Sequence, residues 1–135
     1  MEQSRVLLVE DDSATRNLYA LFLTSEGFKV KVVRNGVEAL IELQESVPDV
    51  ILVDIGVPTI DGIQLISIIR NRTDLANITV IALTAYDNIL LEHALSAGAN
   101  KAVTKPTDLE SLRDFMTRSM SDFLCKRNSS RSGSG

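Results

Sequence analysis

Residues 50–54 read Val50-Ile51-Leu52-Val53-Asp54. Four apolar residues in a row, three of them β-branched, have no wet face to offer, so the run suits a parallel strand covered on both sides. A carboxylate ends it abruptly. Toward the N-terminus, Gly36 to about Ser46 carries Val37, Leu40, Ile41 and Leu43 at helical spacing, and Pro48 marks its end. Phe28 to Val33 alternates apolar residues with Lys29 and Lys31, the period of an edge strand with one wet face. From Ser13 to about Glu26, Leu18, Leu21, Phe22 and Ser25 recur as on one helix face, with Asp12 or Ser13 as N-cap and Gly27 as C-cap. Arg5 to Val9 is another buried strand, followed at once by Glu10, Asp11 and Asp12.

Toward the C-terminus, a loop with Gly56, Pro58 and Gly62 leads to a helix from Ile63 to about Arg72, and Ile78 to Leu83 is a buried strand. Asn88 to Ala97 is a helix stopped by Gly98, and Lys101 to Thr104 is a short strand broken by Pro106. Asp108 to about Leu124 is a last helix with Leu109, Leu112, Met116, Met120 and Phe123 at steps of three and four. Five strands alternating with five helices require parallel, right-handed crossovers. The class is α/β, doubly wound around a five-stranded parallel sheet. Residues 1–124 form one domain. Residues 125–135 read as a flexible C-terminal tail, whose Ser/Gly/Arg-rich end has nothing to pack and also suits an appended tag.

The 135 residues suit a single core, and 44% apolar content is enough to fill it. A net charge of −4 and a pI near 4.9 speak against a dedicated nucleic-acid binder. One cysteine, Cys125, allows neither an internal disulfide nor a multi-cysteine metal site. No apolar run approaches the roughly 20 residues that span a bilayer. Residues 1–5 run into a strand pattern without a signal-peptide core, so the expected location is cytoplasmic.

In an open parallel sheet, ligands bind beyond the carboxyl ends of the strands. Glu10, Asp11 and Asp12 stand there after the first strand, Asp54 after the third, Thr84 and Ala85 after the fourth, Lys105 after the fifth. Like charges about 4 Å apart cost about 1 kcal/mol in water and about 4 kcal/mol at an effective dielectric near 20. A fold keeps such a cluster when something cancels the charge, and a hard cation such as Mg²⁺ does so through carboxylates and waters. Lys105 adds a compact positive charge, and the Thr84 hydroxyl can donate to a phosphoryl oxygen. Asp54, with a metal on one side and a lysine on the other, has the surroundings of a nucleophile for phosphoryl transfer. Helix capping would explain Glu10 to Asp12 alone, but not Asp54, which no helix start follows.

The series Val-Glu-Asp-Asp, Val-Asp-x-x-x-Pro-x-x-Asp-Gly, Leu-Thr-Ala and Thr-Lys-Pro, in that order, resembles the receiver domain of two-component response regulators, in particular the stand-alone chemotaxis-regulator type. The resemblance covers Arg5 to about Leu124 and implies a flavodoxin-like sheet of order 2-1-3-4-5. Residue by residue, it implies Asp54 as phosphoacceptor, Glu10 and Asp11 as the acidic pair, and the Gly56 backbone carbonyl as a further Mg²⁺ ligand with Asp54. Thr84 matches the switch hydroxyl and Lys105 the lysine of the motif; Tyr86, overhanging the site, would shield a phosphoryl group from water. A sensor histidine kinase or histidine phosphotransfer protein would be the donor, and a downstream output protein the recipient of the signal. The domain would be a monomer or weak dimer, binding neither nucleic acid nor membrane, and not an enzyme beyond its own phosphorylation and dephosphorylation.

Two departures stand out. The position three before the lysine usually holds Tyr or Phe and here is Ala102; the acidic pair that often precedes it is Asn100 and Lys101. Signalling is therefore expected through Thr84 and residues 85–88 rather than through an aromatic flip. An aspartyl phosphohydrolase on a similar scaffold would want a second carboxylate two residues after the nucleophile, where this chain has Gly56. A degenerate receiver acting as a phosphorylation-independent interaction module is the remaining alternative, which Ala102 favours and the intact acidic and lysine positions oppose. His93 reads as a surface residue within its helix.

Overall fold

The computed structural model describes residues 4–55, 62–75, 77–84, 88–104, 113–114 and 116–117. The elements are β1 (Arg5–Val9), α1 (Ser13–Ser25), β2 (Lys29–Val33), α2 (Gly36–Glu45), β3 (Val50–Asp54), α3 (Gly62–Asn71), a 3₁₀ turn (Thr73–Leu75), β4 (Thr79–Thr84), α4 (Asn88–Ala97) and β5 (Lys101–Thr104). All strands pair in parallel, in the order β2-β1-β3-β4-β5. Four α-helices, not five, are continuous among the described residues. Residues 113–114 and 116–117 are helical, and the rest of the helix expected from Asp108 to Leu124 lies outside the described residues, as does the tail.

The uninterrupted apolar runs are explained by the pleat, which sends successive residues to opposite faces. Leu7, Val9, Ile51, Val53, Val80 and Ala82 enter one buried layer with residues of α2, α3 and α4. Val6, Leu8, Val50, Leu52, Ile81 and Leu83 enter the other, with Tyr19 and Leu23 of α1 and Met116. Because β2 is an edge, its Lys29 and Lys31 remain exposed, as charged edges must to resist pairing with another chain.

Local signals set the helix ends. The Asp12 carboxylate accepts from Thr15 N at 2.8 Å and Thr15 Oγ1 at 2.6 Å, so Asp12 rather than Ser13 is the N-cap of α1. Asn35 Oδ1 accepts from Glu38 N at 2.9 Å, and Glu38 Oε1 accepts from Arg34 N at 3.0 Å, closing the start of α2 from both sides. The apolar stripe expected on α1 needs correction: Leu18 and Leu21 are 54% and 73% exposed, while Tyr19 and Leu23 are buried. Two overlapping apolar stripes run along α1, offset by one or two residues, and packing on the sheet selects the one with Tyr19. On α2, likewise, Ala39 and Leu43 are buried while Val37 and Ile41 stay exposed.

Arg70 ties the far end of this layer together. Its Nε donates to Gly98 O at 2.7 Å, one terminal nitrogen to Ile78 O at 2.8 Å and the other to Asn100 Oδ1 at 2.6 Å. Asn100 also pairs with Val80 through its own N–H and its side-chain oxygen, both at 2.7 Å, so it seats the start of β5 against β4. Gly98 has a positive φ of +124°, and a Cβ there would lie 2.4 Å from Arg70 Cγ. Only glycine serves both conditions. Partial burial lowers the Arg70 pKa from its ordinary value, an effect of desolvation. Replacing Arg70 by Met leaves two carbonyls and an amide oxygen without this donor, and urea unfolding is expected to show a loss of about 2 kcal/mol.

Candidate functional site at the C-terminal edge of the sheet

Parallel register brings the acidic residues together. Val9 pairs with Val53, so Glu10 and Asp54 follow on neighbouring strands, and Asp54 in turn pairs with Leu83, the residue before Thr84. Ile55 N donates to Leu83 O at 2.9 Å, extending the β3–β4 pairing one residue past the ladder. On this edge one carboxylate oxygen each from Glu10, Asp11 and Asp54 lies within 4.8 Å of the others.

Burial grades the three. Glu10 is fully buried, Asp54 partly buried and Asp11 exposed. Glu10 Oε2 accepts from Asp12 N at 3.3 Å. Asp12 turns its carboxylate to the α1 N-terminus, which accounts for its exclusion from the cluster. At 4.8 Å the charges of buried Glu10 and partly buried Asp54 would repel by about 3.5 kcal/mol at an effective dielectric near 20, while exposed Asp11 adds less because water and salt screen it. Three carboxylates offering only oxygen suit a hard divalent cation that keeps several waters, not a soft thiolate-seeking metal.

Thr84 is buried at the end of β4, one residue beyond the register partner of Asp54. Ala102 lies on β5 opposite Ala82 and packs, partly buried, against the layer under α2, α3 and α4. Gly56, Ala85, Tyr86 and Lys105 lie outside the described residues. His93 is exposed on α4, as expected of a surface residue.

Two contributors had escaped the sequence reading. Gly62, placed by the sequence only in the loop before the helix, opens α3 against the end of β3: its N–H donates to Ile55 O at 3.3 Å. A Cβ at Gly62 would meet Ile55 Cα at 2.3 Å and Asp54 O at 2.9 Å, so α3 approaches the end of β3 as closely as a backbone allows. Its position inside an Asp-Gly pair was the only available sign. The other is Arg16 of α1, which donates to Glu10 O at 3.1 Å.

A family model described as the response regulator receiver domain matches residues 6–129. The chain belongs to this family. Among its relatives, the receiver is 40% identical over 111 residues to the transcriptional regulatory protein KdpE of Staphylococcus aureus, covering 82% of this chain and 47% of that protein. It is 37% identical over 127 residues to a cyclic di-GMP phosphodiesterase of Thermotoga maritima, covering 92% of this chain and 33% of that protein. The chain thus spans less than half the length of either relative. Among solved structures, the signal receiver domain of a histidine kinase from Syntrophus aciditrophicus superposes with a TM-score of 0.83 at 32% identity, over 88% of this chain and 91% of that one. The chemotaxis response regulator CheY4 of Vibrio cholerae, at 24% identity, shares the fold with a TM-score of 0.81 over 87% of this chain and 98% of that one.

Neutralising one of three crowded carboxylates has opposite consequences with and without a cation. In the presence of chelator, Asp11→Asn is expected to raise the unfolding free energy by up to about 1 kcal/mol, since Asp11 is exposed and its repulsion is screened. Millimolar Mg²⁺ is expected to stabilise the wild type, and that gain should largely vanish in the same variant. Urea unfolding with and without Mg²⁺ checks both signs.

Proposed function

We propose that this receiver accepts a phosphoryl group on Asp54 from the phosphohistidine of a sensor histidine kinase or a histidine phosphotransfer protein, in a Mg²⁺-dependent reaction, and thereby changes its affinity for an output partner. The observation that carries the reading is the cluster of Glu10, Asp11 and Asp54 on one sheet edge of a receiver-family fold. An oxygen of Asp54 attacks the phosphorus, the P–N bond to the donor imidazole breaks, and an aspartyl phosphate forms. Asp11 and Asp54 would hold Mg²⁺, with Glu10 acting partly through water and the Gly56 carbonyl completing the set. When bound, the ion supplies positive charge against the phosphoryl oxygens. Lys105 is assigned the remaining charge and Tyr86 the shielding of the acyl phosphate from water.

The domain turns over no separate metabolite; its chemistry is its own phosphorylation and hydrolysis. The fold is completed by a fifth helix over the C-terminal segment, in keeping with buried Met116 and with the ion pair of Arg113 with Glu26 at 3.1 Å. A cytoplasmic location belongs to the same reading, since a sensor histidine kinase or phosphotransfer donor would meet the receiver there; no helix among the described residues is long and apolar enough to cross a membrane. The exposed Leu18 and Leu21 lie on the helix that starts at the acidic loop, a surface suited to an apolar face of the phosphodonor. KdpE is a transcriptional regulator and the Thermotoga relative a phosphodiesterase, so the output of this receiver is set by what it is joined to or binds. Ala102 removes the usual aromatic from β5, and the signal is assigned to Thr84 with residues 85–88, a short two-state element biased by the phosphoryl charge.

Intact mass after incubation with acetyl phosphate and Mg²⁺ tests the reaction. One phosphoryl group is expected on the wild type and none on Asp54→Asn or in the presence of a chelator. No adduct, together with no Mg²⁺-dependent binding of beryllofluoride, would leave the phosphorylation-independent interaction module as the reading. For the switch, Thr84→Ala should still take up beryllofluoride while its amide shift changes over residues 88–104 fall to less than about half of the wild-type values. Full wild-type shift changes in that variant would exclude Thr84 from the relay.

A further inference from the structure

The three acidic residues 10–12 leave β1 on a short loop, and each has a backbone carbonyl to satisfy. All three carbonyls accept from one residue. Arg16 N donates to Asp12 O at 2.8 Å, and a single terminal nitrogen of the Arg16 guanidinium lies 3.1 Å from Glu10 O and 3.4 Å from Asp11 O. The last two carbonyls belong to the peptide planes on either side of the Asp11 Cα. Fixing both planes fixes the direction in which the Asp11 side chain leaves the chain. Asp11 is the exposed member of the cluster, so packing does not aim it as it aims the buried Glu10.

Helix stability gives no reason for a cation here. Arg16 stands at the fourth position of α1, where a positive charge runs against the helix macrodipole. It is half-buried, with its donors turned to the carbonyls of the loop.

We propose that Arg16 is a positioning residue of the cation site, holding Asp11 in ligating geometry through the backbone of the acidic loop. The assignment rests on the Mg²⁺ reading above and adds to it a residue that touches neither metal nor phosphoryl group. The Arg16 nitrogen that reaches both carbonyls stands one bond further from the backbone than a lysine ammonium and on a rigid planar group, so lysine keeps the charge but sets its donor short of them. Positioning and simple charge compensation therefore predict opposite results. If Arg16 acted only as a neighbouring positive charge it would compete with the cation, and its removal would tighten Mg²⁺ binding.

The experiment is Mg²⁺ titration of the unphosphorylated protein, followed by calorimetry and by the Asp11 amide resonance, in wild type, Arg16→Met and Arg16→Lys. The Met variant is expected to bind about tenfold more weakly, in line with the loss of other groups that orient ligands from behind. The Lys variant, keeping the charge, should recover less than half of that loss. Amide exchange at residues 11 and 12 without metal should quicken in both variants at unchanged melting temperature. Should Arg16→Met be poorly folded, Arg16→Lys alone carries the comparison. Equal or tighter Mg²⁺ binding by the Met variant, full recovery by Lys, or unchanged exchange at residues 11 and 12 would overturn the assignment of Arg16. A wild-type protein that takes up no Mg²⁺ would instead overturn the cation reading on which it rests.

Discussion

Val9 pairs with Val53 in parallel, and from that register follows the rest of the site. A parallel pair starts and stops its strands on the same edges, so the residues that follow Val9 and Val53 are neighbours whatever their charge. Here both are carboxylates, Glu10 and Asp54. An antiparallel pairing of the same two strands would put them at opposite ends and the repulsion would disappear. The apolar layers on both faces hold this register, because slipping by one residue would exchange every core side chain between the two layers. The repulsion at the edge is thus imposed by a core that cannot rearrange to relieve it.

The surroundings of that edge are built for close backbone approach. Gly62 lets α3 begin against the end of β3, and Asp12 spends its carboxylate on the α1 N-terminus instead of joining the cluster. At the opposite end of the sheet, Arg70, Gly98 and Asn100 lock α3, α4 and the start of β5 into one unit. The locked unit thus lies at the N-terminal edge of β4 and β5, and the acidic cluster at the C-terminal edge of the same sheet. Thr84 ends β4 on that C-terminal edge, and Ala102, opposite Ala82 on β5, carries only a methyl group.

Strand positions were legible because buried parallel strands advertise themselves as short unbroken apolar runs ended by polar residues. The acidic positions were legible for the same reason: each directly follows such a run. Helix faces were less so. In α1, Leu18, Tyr19, Leu21, Phe22 and Leu23 supply two plausible stripes, and nothing local distinguishes the stripe with Leu21 from the one with Tyr19. Arg16 and Arg70 were opaque because all of the first's partners here and two of the second's three are backbone carbonyl oxygens, which every residue carries and no residue type reveals.

From the chain alone came the alternation of strand and helix, the doubly wound class and the identity of the residues at the strand ends, since these depend on period and on local stop signals. The structure decided which residues met: which carboxylates crowd and which one caps, which apolar stripe is buried, and which arginine bridges which carbonyls. Those outcomes depend on register and on the approach of segments distant in the chain, as when Arg70 crosses 28 residues to reach Gly98. Sequence pattern constrains each segment's own geometry, whereas contact between segments is set by the packing of all of them at once.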